Sequence, residues 1–330
     1  MIENNKGNDD MSHRKIFDFL GNQKFNVKID VKKEDENKKE DKHIEKAPDR
    51  LEVLKLIEQY EREGLFDVDP EKDPPTIVLT PGQVDYLRKK YLSKVKTKLA
   101  YSVGKQFLDA MLKNNKLIIK KINGIENWDA VNSGAIITCN HFNPFDCFTV
   151  EKIFRETKHY KEKKYLYKVI REGNYTNFPG FYGFLMRNCY TMPLSSNRHV
   201  MKEFLDAQKE ALQHGDFILM YPEQSLWWNY RKPKPLKDGA FKLAVKTKVP
   251  VVPIFITMED SNIIGDDGFY VQEYTVNILP AIYPSGGLTD RENAINMKNA
   301  NYDAWKDMYE SFYKEPLKYT TDPEILKELL

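Results

Sequence analysis

The run Gly134-Ala135-Ile136-Ile137-Thr138-Cys139 is apolar at nearly every position and too short for a helix. A strand with one wet face alternates apolar and polar residues. A strand that does not alternate is covered on both faces, as in the interior of a parallel sheet between layers of helices. A second such run, Val249-Pro250-Val251-Val252-Pro253-Ile254, lies farther along, and between the two the helical pattern from Val200 to His214 leads into a strand, Phe217 to Tyr221. Strands alternating with helical crossovers define an α/β fold with a mostly parallel central sheet flanked by helices.

The residues leaving the first run are Asn140-His141-Phe142-Asn143-Pro144-Phe145-Asp146. In α/β sheets ligands gather outside the carboxyl ends of the strands, so a histidine there is well placed for chemistry. Asn143 as N-cap and Pro144 as the first helical residue put Asp146 in the first helical turn. From there its carboxylate can hold one imidazole nitrogen and leave the other to accept a proton. The chain contains no G-x-S-x-G elbow, no G-x-x-x-x-G-K loop and no G-x-G-x-x-G fingerprint, so the attacking group is expected to be a hydroxyl of the substrate. Cys139, Cys147 and Cys189 form no paired metal motif and no disulfide framework; no metal and no bound cofactor is expected.

Three regions follow from composition. Residues 1–48 are polar and mixed in charge, which reads as a mobile tail. Residues 49–116 read as a helical extension: one helix over 49–63 stopped by Gly64, a proline-broken linker, and a basic amphipathic helix over 84–113 with Val84, Leu87, Tyr91, Val95, Leu99, Val103, Phe107 and Met111 on one stripe. From Arg88 to Lys121 there are eleven Lys or Arg and one acid, Asp109, although the whole chain carries a net charge of only +2. Such a helix suits a surface of anionic lipid. Nucleic acid is not expected, because no stacking motif or recognition fold accompanies the charge. No apolar run reaches the ~20 residues of a spanning helix, so contact with a membrane would be peripheral. Residues 117–330 form the third region.

Four blocks of this region, in order, resemble the glycerophospholipid and lysophospholipid acyltransferase family, and in particular its 1-acylglycerol-3-phosphate acyltransferases. Asn140-His141-x4-Asp146 is similar to the first signature block. Tyr165-Leu166-Tyr167-Lys168, with the apolar loop Phe178-Pro179-Gly180-Phe181-Tyr182-Gly183-Phe184-Leu185, is similar to the second. Tyr221-Pro222-Glu223-Gln224-Ser225 resembles the third, with Gln224 in place of Gly, Ser225 in place of Thr and Leu226 in place of Arg. Leu236-Lys237-Asp238-Gly239-Ala240 and the Val249–Ile254 run resemble the fourth. The arginine that the family usually carries after the second block is also missing, and Arg187, Arg198, Arg231, Lys232, Lys234 and Lys237 are its possible replacements.

The resemblance implies the glycerolipid acyltransferase fold with an N-terminal helical extension. It implies an O-acyltransferase that moves a fatty acyl group from acyl-CoA or acyl carrier protein to a lysophospholipid hydroxyl in phospholipid synthesis, at the inner face of the cell membrane on the cytoplasmic side. His141 would be the general base and Asp146 its orienting partner. Asn140, Lys168, Gly180, Arg187, Glu223, Gln224, Ser225, Arg231 and Lys237 would surround the substrates. Glycerol-3-phosphate or another lysophospholipid stays open as acceptor, and so does a lipid-binding protein on the same fold without turnover.

Overall fold

The computed structural model describes residues 45–71, 76–322 and 325. Most of the expected tail falls on residues 1–44 and so lies outside the described residues. Helix α1, Pro48–Glu63, ends where Gly64 takes a left-handed φ of 70°, a conformation that costs glycine little. Helix α2, Tyr91–Lys113, begins seven residues later than the stripe suggested. Arg88 has a φ of 54°, and the Asp85 carboxylate accepts from the N–H of Lys89 at 3.0 Å and of Lys90 at 2.9 Å. The left-handed residue interrupts the periodicity, and Asp85 satisfies donors ahead of the helix. Val84 and Tyr86 instead turn into the core.

The remainder alternates strand and helix. β1 (Ile118–Asn123) leads through the short α3 (Ile125–Asp129) to β2 (Ala135–Cys139), followed by α4 (Asp146–Phe154) and the single turn α5 (Lys158–Lys161). Then come β3 (Leu166–Ile170), α6 (Glu172–Thr176), α7 (Gly180–Asn188) and β4 (Thr191–Pro193). Helix α8 (Arg198–Gln213), β5 (Phe217–Met220), α9 (Gly239–Thr247), β6 (Val251–Ile264), β7 (Tyr270–Ile278) and α10 (Asp290–Tyr313) complete the order. The apolar loop expected around Gly180 is in fact mostly helix, α7. Gly183 is what permits it, since a Cβ there would stand 1.7 Å from the Phe178 carbonyl oxygen.

The seven strands run in the order β1-β7-β6-β2-β5-β3-β4. All neighbours are parallel except β6 and β7, which pair antiparallel from Ile254 opposite Ile278. β2 occupies the centre and is buried along its whole length, as its unalternating sequence requires. Its side chains divide between two cores. Ile136 joins α8, α9 and α10 on one face; Ala135, Ile137 and Cys139 join Leu108 and Met111 of α2 and Trp128 of α3 on the other. The sheet is therefore covered by helices on both sides, which delivers the residues after Cys139 to a protected rim near the middle of the molecule.

Candidate active site

His141 leaves the carboxyl end of β2, and Asp146 opens α4. The intervening turn is built by Asn143, whose side chain accepts from Phe145 N at 3.0 Å and whose carbonyl accepts from Asp146 N at 3.0 Å. Asn143 thus shapes a turn ahead of the helix. It does not cap the helix as its position beside Pro144 suggests, and α4 starts at Asp146 itself. The consequence is a direct contact: His141 Nδ1 lies 2.7 Å from Asp146 Oδ2. An ionised carboxylate can only accept, so Nδ1 carries the proton and Nε2 presents a lone pair. The imidazole side chain is 23% exposed and the carboxylate 1%, which leaves the base open to a ligand and its partner sealed from water.

The carboxylate is saturated with donors. Oδ2 also accepts from the N–H of Phe142 at 3.3 Å, and Oδ1 accepts from the Tyr221 hydroxyl at 2.6 Å. The Tyr221 ring stacks on His141 with centroids 4.1 Å apart. Burial, and then the Asp146 charge, push the Tyr221 hydroxyl well above the usual tyrosine range, so it remains a donor at any physiological pH. Tyr221 was legible in the third block only as the apolar end of a strand. Its role comes from β5 lying next to β2.

The backbone of His141 is held from the other side. Glu223 Oε2 accepts from His141 N at 2.9 Å, and Glu223 Oε1 accepts from Lys234 N at 2.8 Å. Lys234 returns its ammonium to Glu223 at 3.3 Å, to the His141 carbonyl at 3.3 Å and to the Ser225 carbonyl at 2.9 Å. Its side chain is 1% exposed. Burial lowers its pKa from the usual lysine range, while Glu223 pulls the other way. Glu223 is therefore part of a buried ion pair that fixes the histidine's main chain, and Lys234 belongs to the site through it.

The other expected residues are placed as follows. Asn140 is buried and reads the main chain of β6, donating to Ile256 O at 3.0 Å and accepting from Ile256 N at 2.8 Å. Lys168 lies within β3 instead of at its end, with its ammonium 2.6 Å from Glu151 and 3.1 Å from the Tyr101 hydroxyl. Arg187 donates to the carbonyls of Tyr175 at 3.2 Å and Phe178 at 3.0 Å. Arg231 pairs with Asp260 at 2.9 Å. Gly180 opens α7 with a φ of 56°. Gln224, which stands where the resembling block has glycine, keeps a left-handed φ of 64°.

Ser225, Leu226 and Trp227 are covered by a strap from residues 65–71. Ser225 Oγ donates to Phe66 O at 2.6 Å, Leu226 N to Asp69 Oδ1 at 2.6 Å, and Trp227 Nε1 to Val68 O at 2.8 Å. The Phe66 ring stacks on Trp227. Asp69 also pairs with Arg171, whose guanidinium donates to Gln224 O, and Asp67 pairs with Lys237 at 2.7 Å. Trp227 N in turn donates to the His141 carbonyl at 3.3 Å. The extension is thus joined to the rim of the site through acids that nothing in the local sequence tied to it.

Burial pushes the Cys147 thiol, next to Asp146, up to about 12, which leaves it protonated and unfit as a nucleophile. An imidazole steered by a carboxylate, open on Nε2 at the end of a central strand, is chemically able to take a proton from a hydroxyl. Residues 119–257 match the family model described as Acyltransferase. That span contains His141, Asp146, Tyr221, Glu223 and Lys234. The structure is also similar to that of the 1-acyl-sn-glycerophosphate (LPA) acyltransferase, PlsC, from Thermotoga maritima, with a TM-score of 0.45, 16% identity, and coverage of 82% of this chain and 97% of that one. No match was found among curated proteins.

Proposed function

We propose that this protein transfers a fatty acyl group from an acyl thioester, acyl-CoA or acyl carrier protein, to a hydroxyl of a lysophospholipid, with 1-acylglycerol-3-phosphate as first acceptor. The observation that carries this reading is the His141–Asp146 contact at 2.7 Å inside the acyltransferase match. His141 Nε2 takes the proton of the acceptor hydroxyl as its oxygen attacks the thioester carbon. The carbon–sulfur bond then breaks, and the leaving sulfur takes that proton from the imidazolium, so that an ester and a free thiol result. Asp146 stabilises the imidazolium between the two events. Glu223 and Lys234 keep the histidine main chain in place during the proton transfers.

The extension supports a peripheral position on a lipid surface. Among the described residues no helix is long and apolar enough to cross a membrane. The first half of α2 nevertheless leaves Tyr91, Leu92, Val95 and Leu99 exposed by 79%, 69%, 48% and 55%, flanked by lysines. Thiol release from acyl-CoA, measured with and without 1-acylglycerol-3-phosphate, tests the reaction. Release that depends on the acceptor supports transfer. Release without it indicates hydrolysis, and no release across a panel of lysophospholipids and glycerol-3-phosphate indicates a binding protein.

A further inference from the structure

A cavity of about 340 Å³ opens between the start of α2, the turn before it and α7. Its lining includes Arg88, Lys90, Lys96 and Arg187 against a single acid, Asp85. Burial would raise the Asp85 carboxyl, but the Lys90 and Lys89 N–H groups, the Ser93 hydroxyl and the Arg88 charge together lower it, so that acid is already occupied. Among the described residues none of the four cations lies within ion-pair distance of a carboxylate. Arg88 is 4% exposed. It donates only to carbonyl and hydroxyl oxygens of Asp85, Arg187 and Thr191, and its Nε has no partner. A buried guanidinium hydrogen-bonded to carbonyls and not to a carboxylate, with three further cations around one shared acid, leaves the cavity an excess of positive charge.

The cavity adjoins the exposed apolar ridge of α2. At roughly 100° per residue, Tyr91, Val95, Leu99 and Leu92 fill one arc of the helix, and Lys96 and Ser93 of the cavity wall fill the next. A site of this shape fits a molecule with an anionic head and apolar chains. We propose that the cavity binds the phosphate of an anionic phospholipid at a membrane surface, whose chains lie against Tyr91, Leu92, Val95 and Leu99. This is a second lipid site, separate from the acceptor. Arg88 anchors on Thr191 of the edge strand β4, three strand spacings from β2, or ~14 Å at ~4.8 Å each. The hydroxyl and phosphate of one glycerol phosphate are only a few bonds apart, so an acceptor whose hydroxyl meets His141 cannot reach it.

The test uses the full chain and vesicles of phosphatidylcholine with or without phosphatidic acid. Lys90→Gln/Lys96→Gln removes two cavity charges, and Lys94→Gln/Lys98→Gln removes two from the same helix outside the cavity; all four lysines are exposed, so neither pair threatens folding. The cavity pair is expected to weaken cosedimentation with phosphatidic acid vesicles roughly tenfold more than the control pair. Inorganic phosphate is expected to displace the wild-type chain from these vesicles at an ionic strength where sodium chloride does not. Equal weakening by both pairs, or equal displacement by both salts, overturns the proposal in favour of a diffuse charge effect. Displacement by phosphate with no preference for phosphatidic acid vesicles also overturns it, in favour of a site for a soluble phosphate. Acyl transfer to a soluble short-chain acceptor is read alongside; its absence in the wild type bears on the proposed activity and leaves the vesicle result standing.

Discussion

Tyr221 lies flat against His141, ring centroids 4.1 Å apart and 22° from parallel, while its hydroxyl donates to the oxygen of Asp146 that His141 does not use. One side chain thus fixes both members of the dyad. Tyr221→Phe keeps the stacked ring and removes the donor from a buried carboxylate. We expect kcat to fall about tenfold, the equivalent of ~1.4 kcal/mol, with the circular dichroism spectrum unchanged. Steady-state kinetics with acyl-CoA checks this, and an unaltered kcat would show that the hydroxyl only packs.

Removing the base itself is more severe. His141→Ala is expected to lower turnover by ~10²–10⁴ or more, and Asp146→Asn by a comparable factor, because an amide in place of the carboxylate can hold the wrong tautomer and cannot stabilise an imidazolium. Both chains should stay folded, each with one cooperative calorimetric transition. Near-normal thiol release in either variant would falsify the general-base assignment.

The buried pair of Glu223 and Lys234 behaves differently from a surface ion pair. Lys234→Met leaves the Glu223 charge without its ammonium, and Glu223→Gln leaves Lys234 without its counterion, each expected to cost ~3–5 kcal/mol. The double variant should recover part of that loss, since no charge remains buried alone. Urea denaturation of the three variants gives the coupling energy; simple additivity of the two single losses contradicts the pairing.

Asp69 connects the strap to the rim of the site. Asp69→Asn weakens its contacts with Leu226 N and Arg171, and the lost charge-assisted bonds are expected to cost ~1–3 kcal/mol. Quenching of Trp227 fluorescence by acrylamide reports whether the strap loosens. Quenching identical to the wild type's would show that Phe66 and Val68 hold it without the acid.

The half-buried thiols Cys147 and Cys189 set a pH dependence. Burial raises Cys147 to about 12 and Cys189 to about 11, against 9.0 for an ordinary thiol. Above the ordinary value the unfolded chain loses these protons while the folded chain keeps them. Their contribution is therefore complete below pH 9.0 and is lost as the pH rises through the folded values. Urea midpoints should fall as the pH rises from about 9 to about 11, and less so in Cys147→Ala/Cys189→Ala. A midpoint that rises over this range contradicts the burial. Ellman's reagent should reach Cys139, which is fully buried, only after denaturant is added.

What the sequence determined by itself was the local chemistry. The unalternating run before Cys139 requires a strand covered on both faces, and the structure places it at the centre of the sheet, among parallel neighbours. The spacing of His141 and Asp146 across an Asn-Pro turn is a short-range property of the chain, and so the pairing was readable from residues five apart. Which distant residues complete the site was not. Tyr221 reaches Asp146 because β5 pairs with β2; Lys234 reaches His141 because the loop after β5 folds back through Glu223; Asp69 reaches Leu226 from a segment more than a hundred residues upstream. The same holds for residues the pattern assigned to substrate. Lys168 and Arg231 carry the right charge, but a charge is committed by whichever partner the fold brings within reach, here Glu151 and Asp260. Side-chain type and short spacing are written along the chain, whereas the distance between remote elements is set only when the sheet and its helices pack.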